Sequence, residues 1–134
     1  MLRYEAESTA EADAAWALLA RPGRWHEWAP HVRGAWGLGE PEVRRGAVGA
    51  VRLLGAVPVP ARVVDVVPRR AWSWRVGPVL MDHRVAPRRG GGCVIAIELR
   101  ARRPVEAALR VSYGPVVGAL VRRLARVASS RPTG

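Results

Sequence analysis

From Val32 onward the chain is repeatedly interrupted by turn chemistry, at Gly39 to Pro41, Gly55, Pro68 to Arg70, Gly77 with Pro78, and Pro87 to Gly91. Glycine supplies positive φ and proline presets a turn, so these positions mark reversals of direction. The stretches between them are Val32 to Leu38, Val43 to Leu54, Val57 to Val67, Ala71 to Val76, Val79 to Ala86 and Gly92 to Ala101, each rich in strand-forming residues. Parallel neighbours need a crossover of about a dozen residues or more. None of these separators is that long, so the pattern predicts an antiparallel meander.

A second feature supplies the partner that such a sheet needs. Stepped at about 100° per residue, Val116, Val117, Leu120, Val121, Leu124, Val127 and Ala128 fall on one apolar arc, with Arg122, Arg123 and Arg126 outside it. Val105, Leu109 and Tyr113 lie on or beside the same arc, but Pro115 cannot donate to the carbonyl four residues back. The run from Val105 to Ala128 therefore predicts a long helix in two parts, kinked at Gly114 and Pro115, laid against the sheet. Upstream, Leu2, Tyr4 and Ala6 alternate with Arg3, Glu5 and Glu7, as in a strand with one wet face. Ser8 and Glu11 have capping-box spacing and predict a helix to about Ala20. Trp25 and Trp28, closed by Pro30, predict a short helical segment after it. The order of elements is that of an α+β chain. Residues 1 to 128 read as a single domain, with a loose tail from 129 to 134.

A net charge of +11 suggests an anionic partner, yet all 22 basic residues are Arg, and Lys, Asn, Gln and Phe are absent, as in a chain encoded by a very GC-rich genome. The arginines are scattered from Arg3 to Arg131 without a block. No nucleic-acid partner is expected, although an RNA-binding or anionic-surface role for the arginine-rich exterior stays as an alternative. The single cysteine, Cys93, fits a reducing compartment. With no apolar leader and no long apolar run, the expectation is a cytoplasmic protein without membrane insertion.

The segment from Trp16 through Trp25, Glu27, Trp28 and Pro30, then Trp72 to Trp74, Asp82-His83-Arg84, Gly91-Gly92, and Tyr113-Gly-Pro ahead of Leu124-Ala125 resembles the polyketide cyclase/dehydrase and lipid-transport proteins. These belong to the SRPBCC superfamily, which also contains the START and birch-pollen-allergen-like proteins. The resemblance covers nearly the whole chain. It implies a helix-grip fold, in which a curved seven-stranded antiparallel sheet wraps the long C-terminal helix and leaves a cavity for an apolar, aromatic or polycyclic ligand. It also implies a cofactor-free cyclase or dehydratase of natural-product assembly, with an acyl carrier protein as a candidate partner that presents the substrate. The rival reading is a carrier or sensor with the same pocket and no chemistry, as monomer or homodimer.

Alternation along the strands names cavity candidates. Val79, Met81, His83 and Val85 share one face, Cys93, Ile95, Ile97 and Leu99 another, and Trp72, Trp74 and Val76 a third. His83 is placed among apolar neighbours, as a proton carrier, a ligand-orienting group or a satisfied core residue. Asp65, on the face of Ala61, Val63 and Val67, is either its partner or an outward residue paired with arginine. Tyr113, at the kink, either polarises a ligand carbonyl or packs. Ligand contacts are expected from Trp25, Trp28, Trp36, Trp72, Trp74, Met81, Ile95, Ile97, Val117 and Leu120. No metal is expected: His26, Glu27 and His31 have the wrong spacing for two imidazoles on one helix face, with Pro30 between them. Gly90 to Gly92 precede a strand rather than a helix, so no phosphate loop is expected.

Overall fold

The strands form a seven-stranded antiparallel sheet of order β1-β7-β6-β5-β4-β3-β2 in a computed structural model that describes residues 1–30, 32–53 and 58–130. They are β1 (Leu2–Ser8), β2 (Val32–Trp36), β3 (Val48–Leu53), β4 (Val59–Val67), β5 (Ala71–Val76), β6 (Val79–Pro87) and β7 (Cys93–Arg100). Helix α1 (Ala12–Ala20) and a 3-10 helix (Pro22–Glu27) follow β1, and α2 (Arg103–Val111) and α3 (Tyr113–Ser130) close the chain. This is the helix-grip architecture. The concave face packs against α1 and α3, where Leu18, Leu19, Ile95, Leu99, Val117, Val121 and Leu124 are almost fully buried.

The kink falls one turn before Pro115. Ser112 ends α2, with its N–H and its hydroxyl both donating to the Ala108 carbonyl, at 3.1 and 2.7 Å. Helix α3 then runs chiefly over β1. Gly114 permits that contact, because a Cβ there would collide with the Tyr4 hydroxyl. The apolar arc is buried as expected at Val117, Val121, Leu124 and Ala128, and Arg122, Arg123 and Arg126 are exposed. Val116, at the edge of that arc, is 43% exposed and not part of the core.

Several local expectations are corrected. Ser8 does not cap α1: it ends β1, donates from Oγ to the Ala125 carbonyl at 2.9 Å and accepts from the Ala10 N–H at 3.2 Å. The cap position of α1 is Glu11, whose side chain makes no capping bond. Val43 does not begin a strand, because its N–H donates to the Ala20 carbonyl at the end of α1 and Gly46 then turns with φ +83°. Ser129, expected in a loose tail, lies in α3, with Oγ 2.7 Å from that of Ser8. The expected turn at Gly55, the strand ends at Leu54 and Val57, His31, and the tail from 131 to 134 lie outside the described residues.

At the β2–β3 pair the backbones approach so closely that a Cβ on Gly49 would overlap the carbonyl oxygen of Trp36. Backbone atoms on both sides leave no side chain free to yield. Gly49→Ala is therefore expected to destabilise the fold by about 2 kcal/mol, measured by urea unfolding.

Candidate functional site

Three tryptophans and a histidine form one wall of a cavity of about 190 Å³ between the sheet, the 3-10 helix and α3. The wall follows from strand register. Trp72 and Trp74 on β5 stand opposite His83 and Met81 on β6, and His83 in turn stands opposite Ile97 on β7, so all project to the concave side. The imidazole of His83 stacks on Trp72 at 3.9 Å with the planes 6° apart, and Trp25 stacks on Trp72's ring at 5.6 Å. Trp74 meets Trp25 and Trp72 edge-on, at 5.3 Å in each case.

The indole N–H groups are held in place by the end of α1. A helix leaves its last four carbonyls without helical partners. Trp25 and Trp72 both donate to the Leu19 carbonyl, at 2.9 and 3.1 Å, and Trp28 donates to that of Leu18 at 2.8 Å. Trp74 donates to the Met81 sulfur at 3.3 Å. These donors are thereby committed to the protein, and the indoles present mainly carbon to the cavity.

His83 is 3% exposed. Its Nδ1 lies 3.2 Å from the Trp72 carbonyl. A carbonyl can only accept, so Nδ1 carries the proton and Nε2 keeps its lone pair. Burial pushes the imidazole pKa down to about 4, with the bond to Trp72 opposing that shift only in part, and the ring is neutral at pH 7. Tyr113, half-buried at the start of α3, also lines the cavity, and burial raises its phenol pKa. No hydrogen bond ties its hydroxyl to another described residue. His83 Nε2 and the Tyr113 hydroxyl are thus the hydrogen-bonding atoms that the described lining has left for a ligand.

The remaining lining is apolar: Trp28, Ala29, Val32, Val51, Val76, Val79, Met81, Ile97, Leu109, Val117 and Leu120 join the aromatic wall. The expected contacts Trp25, Trp28, Trp72, Trp74, Met81, Ile97, Val117 and Leu120 are therefore brought together with His83 and Tyr113. Three other candidates are not. Asp65 is exposed, 3.8 Å from Arg45, because the register shifts between Val63 and Asp65 and turns the aspartate to the convex face opposite Ser73. Trp36 is 49% exposed with Arg52 over its ring, since a similar shift between Val32 and Gly34 reverses the faces of β2. Ile95 does face inward, but it is fully buried in the core and does not line the cavity.

Val76 and Val79, placed on inward faces by strand parity, also line the cavity, and of the lining residues missed from the sequence Leu109 had a usable signal in its place on the helical arc. Ala29, Val32 and Val51 had none. Other chemistry is weakly supported among the described residues. No three His, Cys, Asp or Glu side chains converge on a metal site. Cys93 is buried, and desolvation, with help from Glu11, pushes its thiol pKa up, which disfavours the thiolate. Among the described residues no helix is long and apolar enough to cross a membrane.

Solved structures share the architecture at low identity. A Mesorhizobium loti protein matches with a TM-score of 0.79 at 13% identity, over 98% of both chains. A Nitrosomonas europaea protein matches with a TM-score of 0.73 at 14% identity, over 94% of this chain and 92% of that one. Norcoclaurine synthase from Thalictrum flavum, in complex with dopamine and hydroxybenzaldehyde, matches with a TM-score of 0.68 at 14% identity, over 99% of this chain and 88% of the synthase. At these identities the likeness is one of fold. No curated protein matches the sequence. The family described as polyketide cyclase / dehydrase and lipid transport matches residues 2–129, nearly the full length, and the gripped helix, the sheet order and the apolar cavity agree with it: the chain belongs to that family.

Proposed function

We propose that the protein takes a small apolar, aromatic or ring-forming molecule into this cavity and acts on it as a cyclase or dehydratase without a cofactor. The observation that carries the proposal is the state of His83: a buried neutral imidazole, with Nδ1–H anchored to a backbone carbonyl and Nε2 unengaged, inside an otherwise apolar cavity. Such a site supports catalysis by holding a flexible chain in a folded shape, and proton transfer by His83 adds to it.

In an aldol closure Nε2 takes a proton from a carbon flanked by carbonyls. The carbanion then forms the new C–C bond at a carbonyl carbon further along the chain, and the imidazolium returns the proton to the resulting alkoxide. Loss of water follows when Nε2 removes a second α-proton, the C–O bond breaks as the C=C bond forms, and the imidazolium passes that proton to the departing hydroxyl, which leaves as water. An imidazolium in this apolar site is strongly acidic and gives its proton back readily, while a neighbouring enolate stabilises it during the transfer. Tyr113 is suited to donate a hydrogen bond to the polarised carbonyl. Val76, Val79 and Leu109 are only half-buried and mark the open side of the cavity, where a chain tethered to an acyl carrier protein would enter.

The test uses a synthetic poly-β-keto thioester whose aldol closure gives one six-membered ring. Faster formation of a single cyclised, dehydrated product than in buffer is the expected result. Binding of the thioester, seen as quenching of tryptophan fluorescence, without any acceleration would instead establish the carrier reading.

A further inference from the structure

The cavity also restricts which molecule it accepts, a deduction that rests on the ligand-binding reading above. We infer that its ligand is an uncharged molecule with a single ring that donates a hydrogen bond, from a phenolic or enolic hydroxyl, to His83 Nε2.

Size sets the first limit. A cavity of about 150 Å³ accepts one benzene ring, and this one measures about 190 Å³, so it holds one substituted ring and not three or four fused rings. Charge sets the second. Among the described residues no arginine lines the cavity, so a carboxylate there meets no counter-ion from them. Asp65 is turned to the convex face, and no other carboxylate lines the cavity to receive an ammonium group. Buried charge without a partner is strongly disfavoured. Polarity sets the third. Because Nδ1–H is bound to the Trp72 carbonyl, the neutral ring offers only a lone pair at Nε2, which attracts a donor and repels an ether or ketone oxygen. The tryptophans that line the cavity supply aromatic surface against which the ring packs.

Titration of the intact protein at pH 7.5 with p-cresol, 4-methylanisole, toluene, benzoate and a three-ring phenol, followed by tryptophan fluorescence and calorimetry, tests the inference. We expect p-cresol to bind roughly three- to tenfold more tightly than 4-methylanisole, the effect of one hydrogen bond. Benzoate and the three-ring phenol are expected not to bind at millimolar concentration. In His83→Phe the preference for p-cresol over 4-methylanisole should disappear. Equal affinity of the wild-type protein for p-cresol and 4-methylanisole, or binding of benzoate or the three-ring phenol as tight as that of p-cresol, would overturn the inference and leave the ligand-binding reading intact. Failure of every probe, toluene included, would overturn both.

Discussion

Replacing His83 with Gln is expected to slow closure of the poly-β-keto thioester by about 100-fold to 10,000-fold, the usual contribution of a positioned general acid-base group. Glutamine retains a polar, planar group of similar length but cannot carry a proton near neutral pH. Affinity for the thioester should change little, so the loss belongs in kcat and not in binding. A variant that binds weakly yet turns over bound thioester at the wild-type rate would show that the imidazole orients the ligand only. Tyr113→Phe is the useful companion, since it removes one hydrogen-bond donor and no titrating base.

A second large effect is expected in stability against pH. In the unfolded chain His83 titrates near 6.5, and in the folded protein near 4. Between those values the unfolded state binds the additional proton, so stability is complete above about pH 6.5 and falls as the pH is lowered towards 4. The shift corresponds to about 3 kcal/mol once both states are protonated. Urea unfolding at intervals from pH 7.5 to 4 should show this decline in the wild-type protein, and a shallower one in His83→Gln by about the same amount. Identical pH profiles would mean that the imidazole is not desolvated in the folded state.

The inward placement of His83, Trp72 and Trp74 was legible because β5 and β6 keep strict alternation across a tight Gly77-Pro78 hairpin, so the faces cannot slip. The helix arc was legible for the same reason, with arginines marking its wet side. Asp65 was not. Val63, Val64, Val66 and Val67 are chemically alike, so one extra residue in the β4 ladder reverses the faces without leaving a mark in the composition. Trp36 was misplaced in the same way: an indole reads as a buried residue, and the irregularity beside Gly34 that turns it outward is a matter of register. The pairing of Ser8 with the far end of α3 was also hidden, since the spacing of Ser8 and Glu11 satisfies a helix-start rule while the hydroxyl is used across the sequence instead.

The residues that line the cavity fall into an aromatic half bonded to the end of α1 and an aliphatic half that is not, and the two differ in how freely they tolerate substitution. Trp25, Trp28 and Trp72 terminate a helix as well as line a wall, so exchange of any one of them for Phe or Leu removes a cap along with a contact surface. Val76, Val79, Leu109 and Leu120, which also line the cavity, have aliphatic side chains that make no such bond and differ from many other aliphatic residues only in volume. Divergence of ligand preference among proteins built on this plan, and any attempt to redesign it, should therefore proceed through the aliphatic half, with the aromatic half acting as a fixed template against which new ligands are measured.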